Sequence, residues 1–218
     1  MANSTTDNIS TLSLEQVATW EAQVKEARGK GDPAATLAIA AAAADAIEQQ
    51  IPQQADNWTE NERAALTTVK RFTYNSAADA WPGWELDGPS LDPPALSKAK
   101  SLAQRSAALT EKLQLGLIQE ATGIWLVAAF DLALGSFDSA IDGFSIASQK
   151  YSAGSAPGLA LLADGYTVIA RGSVAGKPRE DIAGDLDKIF ARISAGGFKD
   201  AVFWTDQLST ALSVFSKK

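Results

Sequence analysis

The chain has 218 residues, 46% hydrophobic and 21% charged, and its 19 Lys and Arg stand against 26 Asp and Glu for a net charge of −7. That is enough apolar material for a continuous core, and the negative field opposes nonspecific attraction to a phosphate backbone, so nucleic acid is not expected as a partner. With no cysteine and no histidine, disulfides, thiolate nucleophiles, Cys-ligated zinc and iron–sulfur clusters are excluded, and the commonest neutral-pH acid/base and metal ligand is missing.

Any catalysis would therefore rest on carboxylate, Lys, Ser, Thr or Tyr groups; the expectation is a non-enzyme without cofactor or metal. Residues 1–12 are polar and predict a flexible tail ahead of one domain over 13–218. The start lacks the basic residues and apolar run of a secretory signal, and the longest apolar run, "AATLAIAAAAADAI", is too short to span a bilayer and contains Asp45. The expected location is cytoplasmic, with no membrane partner. The Asn-x-Ser/Thr matches at Asn3, Asn8 and Asn57 carry no meaning without secretion.

Ser13 with Gln16 predicts a capping box, and Leu14, Val17, Trp20, Val24 and Ala27 recur at helical spacing up to Arg28, where Gly29 and Gly31 intervene. Asp32 and Pro33 open an alanine-rich helix expected to reach about Gln50, before Pro52. Thr59 and Glu62 make another capping box, ahead of a helix through Ala80. "WPGWELDGPSLDPP", residues 81–94, reads as a loop. Asp92 then caps a helix whose apolar stripe carries Leu96, Ala99, Leu102, Ser106, Leu109 and Leu113.

Residues 117–134 are nearly apolar and stop at Gly135; Phe137, Ile141, Phe144 and Ala147 or Ser148 share one face of the next helix. A second nearly apolar helix is expected to stop at Gly172. Pro178 starts an amphipathic helix with Ile182, Leu186, Ile189, Phe190 and Ile193, ended by Gly196 and Gly197, and the last helix aligns Trp204, Leu208, Ala211, Leu212 and Phe215. Lys217 and Lys218 would complement its dipole. No alternating strand is found, so the prediction is all-α with about nine helices.

Around Gly135 the chain resembles the tetratricopeptide (TPR) repeat superfamily. Gly135 sits at the turn, Ala140 and Phe144 match its Ala-x3-Phe spacing, and Ala147 is a favoured small residue. Ile124, Val127, Ala128 and Asp131 replace the Trp, Leu, Gly and Tyr that precede the turn. A second hairpin has Gly165 and Gly172 at the small and turn positions but Leu186 ahead of Phe190, and Gly31 lies about three repeat lengths before Gly135. The resemblance implies a right-handed α-α superhelix of stacked antiparallel hairpins, about 13–51, 59–114, 117–151 and 155–194, with a capping helix 199–216. An irregular bundle with one repeat-like hairpin is the other architecture these residues allow.

The candidate binding residues are Arg71, Tyr74, Trp81 and Trp84, because a Pro-Gly turn flanked by tryptophans beside a guanidinium suits a peptide or small organic ligand. The opposing reading has both tryptophans folding back to plug the hairpin. Asp181, Asp185 and Asp187 fit a solvated helix start better than a metal site, as do Asp138 and Asp142. "GSVAGKP" is one residue short of a phosphate loop and follows a helix. Trp125 and Tyr166, with Leu132, Leu162 and Ile169, either line an apolar groove or pack on the next hairpin.

By analogy with the superfamily, the expected role is a noncatalytic interaction or scaffold module for a protein or peptide. The alternatives are a self-associating structural protein, forming a homodimer through its apolar hairpins or last helix, and a small-molecule sensor or enzyme built on the Trp loop with Arg71, Asp79 or Glu85.

Overall fold

The computed structural model describes residues 13–52, 58–86 and 91–216. The expected tail, the Asn-x-Ser/Thr matches, part of the Trp loop and the terminal lysines lie outside them. The described residues are all-helical: α1 (Leu14–Gly29), α2 (Pro33–Glu48), α3 (Glu60–Asp79), α4 (Pro93–Lys112), α5 (Leu117–Ala133), α6 (Phe137–Ala153), α7 (Pro157–Val174), α8 (Arg179–Ala195) and α9 (Ala201–Phe215), with a 3-10 turn at Pro82–Trp84.

Local chemistry sets the helix starts. The Asp32 and Asp92 carboxylates accept from the amides of Ala35 and Ala95 at 3.0 and 2.8 Å, satisfying first-turn donors that no carbonyl can reach. Thr59 and Glu62 form the reciprocal capping box. Ser13 instead accepts from Glu15, two residues on, so α1 begins on a single cap bond.

Gly135 ends α5 with φ +77°. Its amide donates to Leu132, and the amide of Ser136 to Asp131 at 2.8 Å, the paired bonds of a Schellman motif that a residue without a Cβ adopts at least cost. The same closure ends α6 at Ser155 and α4 at Gln114, two non-glycine residues at φ +60° and +55°.

Side-chain contacts fix the helix directions. Lys100 pairs with Asp131 and Ala107 abuts Gly123, so α4 and α5 are antiparallel. Lys150 to Glu120 and Gly143 to Ala128 give the same relation for α6 and α5. Alternate helices run parallel: Glu21 and Arg28 of α1 pair with Arg71 and Asp79 of α3, and Trp204 and Leu208 of α9 lie on Gly158 and Gly165 of α7.

Gly172 does not end α7, which continues to Val174. Its missing side chain makes room for Ile182 of α8. Gly158, Gly165 and Gly172 thus form a stripe at intervals of seven, which lets two helices approach the α7 backbone closely.

Candidate functional site

Four residues at intervals of three and four, Lys70, Tyr74, Ala78 and Trp81, form one stripe that continues off the end of α3. Thr122, Trp125 and Ala129 form a matching stripe on α5. The two are joined at one end by the Trp81 indole N–H, which donates to the Ala129 carbonyl at 3.0 Å. At the other end the Tyr151 hydroxyl of α6 donates to Thr122 at 2.9 Å, and burial first, with Tyr151 second, pushes the Tyr74 phenol's pKa up.

Trp81 is 1% exposed. Its ring meets Trp84, Trp125, Tyr166 and Phe215 at centroid separations of 5.0 to 5.9 Å, and Phe144 stacks on Tyr166. The Trp84, Trp125 and Tyr166 pairs with Trp81 are edge-to-face, an arrangement that adds to the burial term. The expectation that Trp81 presents a face to a ligand is corrected here: the turn after α3 aims it inward, and Gly83 lies flat on its ring, where a Cβ would overlap it. Trp84 is half-buried on the same cluster, its indole donating to the Ala78 carbonyl at 2.6 Å. Trp125 and Tyr166 fill the space that an inner groove would need.

Nor do the other two residues converge on the tryptophans. The Arg71 guanidinium reaches Glu21 of α1 at 2.5 Å and is exposed. The Tyr74 ring is half-buried beneath the Lys70 ammonium, 5.4 Å from its centroid. Asp79, the carboxylate of the sensor alternative, is held by Arg28 through two bonds of 2.6 and 3.0 Å. Asp185 is bonded to Lys177, which holds its carboxyl below the usual range, so this acid serves the α7–α8 corner.

Lys70 was not among the sequence candidates, and its setting is unusual. Lys100, Arg105 and Lys150 are half-buried and bonded to carboxylates. Lys70 is half-buried on an aromatic face, and desolvation pushes its pKa down. Burial pushes all three tyrosine hydroxyls up, with Tyr166 also receiving a bond from Gln207 at 3.0 Å. Chemically, the stripe offers one cation without a carboxylate and a partly accessible phenol at one end, and a closed aromatic plug at the other.

No family model, curated protein or solved structure matches this chain. Among the described residues, no helix is long and apolar enough to cross a membrane.

Proposed function

We propose that the chain is a noncatalytic, TPR-like interaction module acting in the cytoplasm, which engages a protein or peptide at the Lys70–Tyr74 end of the α3–α5 face. The observation that carries this reading is the direction pattern: antiparallel neighbours with parallel alternates, the relation that stacking helical hairpins requires. Burial moves the phenol pKa values of Tyr151 and Tyr166 further from neutrality, away from acid/base use by those two groups. Placing the photocrosslinker p-benzoylphenylalanine at Lys70 tests it. Adducts to a second polypeptide that are absent when the probe replaces Ser209 support the proposal; none at Lys70 overturns it.

Self-association is favoured by a separate observation. Val202 and Phe203, in the first turn of α9, are 74% and 60% exposed, and adjacent bare apolar side chains suit an interface. A mass that rises with concentration in sedimentation, and falls to monomer in Phe203→Glu, is the outcome this second reading requires.

A further inference from the structure

Around the two bare apolar side chains of α9 the sequence sets a charge on either side. Lys199, Val202, Phe203 and Asp206 follow one another at steps of three, one and three, the i, i+3, i+4, i+7 spacing of a single helix face. All four are exposed. The opposite face of α9 is buried through Leu208, Ala211 and Leu212, with Leu208 seated over Gly165 of α7. Phe198 packs on Trp204 at 5.7 Å between centroids, and both rings lie over Gly158. These contacts fix the turn before α9 and its first residues on α7, so the stripe points outward from a firm support.

The two charges are opposite in sign and uncommitted. Among the described residues neither Lys199 nor Asp206 has an ion-pair partner. Two turns apart, about 10 Å along the axis, they do not pair with each other.

The stripe complements itself. Lys199 stands three positions before Val202, and Asp206 three after Phe203. A two-fold axis passing between Val202 and Phe203 therefore sets Lys199 of one copy against Asp206 of the other, and lays Val202 on the facing Phe203. Such an axis uses the same patch on both subunits, and every contact occurs twice. Parallel pairing would set Lys199 against Lys199 and Asp206 against Asp206, and facing like charges are unfavourable.

We infer that the partner at this face is a second copy of the chain, docked antiparallel along α9 with two intermolecular Lys199–Asp206 pairs. The inference rests on the self-association reading above and adds the orientation and register of the contact. A stripe of two turns buries little area, so the dimer belongs with the small, reversible contacts below about 1,200 Å².

The test is sedimentation equilibrium of the full chain from micromolar to millimolar concentration. It compares the wild type, Phe203→Glu, Lys199→Glu, Asp206→Lys and an equimolar mixture of the last two. Either charge reversal alone sets like charges against each other at both contacts and should weaken association by at least about tenfold. In the mixture both contacts regain opposite signs, so the wild-type association should return. That recovery cannot arise from a folding defect, because neither component has changed. A wild type that stays monomeric overturns both the self-association reading and this register, as does association indifferent to Phe203→Glu. Association that Phe203→Glu abolishes, but that the charge reversals leave unchanged or the mixture does not restore, overturns the antiparallel register alone.

Discussion

Trp81 and Ala129 are joined by an indole-to-carbonyl hydrogen bond of 3.0 Å across 48 residues of sequence. It ties the turn after α3 to the C-terminal part of α5. Trp81→Phe keeps most of the ring contact and loses the bond, so a destabilisation of about 1–2 kcal/mol is expected. Trp81→Ala should cost about 3–5 kcal/mol through the cavity it leaves. Urea denaturation measures both, and Trp84→Phe, at a half-buried position, should fall below either.

The glycines of α7 and α8 should respond in opposite directions to the same substitution. A Cβ at Gly165 would come within 2.5 Å of Leu208, so Gly165→Ala is expected to lower stability by about 1–3 kcal/mol despite the better helix former. At Gly184, exposed in α8, a Cβ meets nothing within 4 Å, and Gly184→Ala should gain about 0.5–1 kcal/mol. Thermal melts of the pair side by side separate packing from propensity.

Asp131 sits in the last turn of α5 with its side chain only 8% exposed, and Lys100 bonds it at 2.6 Å. Lys100→Met would strand that carboxylate and should cost about 3 kcal/mol. The double variant Lys100→Met with Asp131→Leu removes both charges and should recover most of the loss. A double-mutant cycle that shows no recovery would mean the pair is not the source of the penalty.

The chain's three tyrosines are Tyr74, Tyr151 and Tyr166, and burial raises the pKa of each. Since the folded values lie above the unfolded phenol value of about 10, the stability they contribute is fully present below pH 10. It is lost as pH climbs from there toward the folded values, because only the unfolded chain releases the protons. Lys70, lowered by burial, acts in the opposite sense below about pH 10.5. Phenolate absorbance at 295 nm should therefore rise together with the loss of helical ellipticity. A separate titration step near pH 10 with the helices intact would contradict the burial.

Helix starts were legible in the sequence because their causes are local: Asp32, Thr59 and Asp92 each cap an amide three residues on. Gly135 was legible as a corner for the same reason. Gly172 was misread as a stop because the feature that keeps it helical, Ile182 packed against its backbone, belongs to another helix. Trp81 was open to two readings, since its partners Trp125, Tyr166 and Phe215 lie far along the chain and nothing nearby in sequence aims the ring. The unpartnered hydroxyl of Ser76 left no signal at all. A serine inside a helical run looks ordinary until the bond it lacks can be seen.

The contact of Trp81 with Phe215, 5.9 Å between centroids, bears on the order of folding during synthesis. Most helices here pack on neighbours one or two positions away, and such arrays can assemble as they emerge, N-terminal part first. The aromatic cluster cannot. Its first ring leaves the ribosome with the turn after α3 and its last with the final turn of α9, so the face of Trp81 that Phe215 covers stays bare until α9 has arrived. A nascent chain arrested before Phe215 should therefore be the form most readily seized by a chaperone that reads exposed aromatic surface.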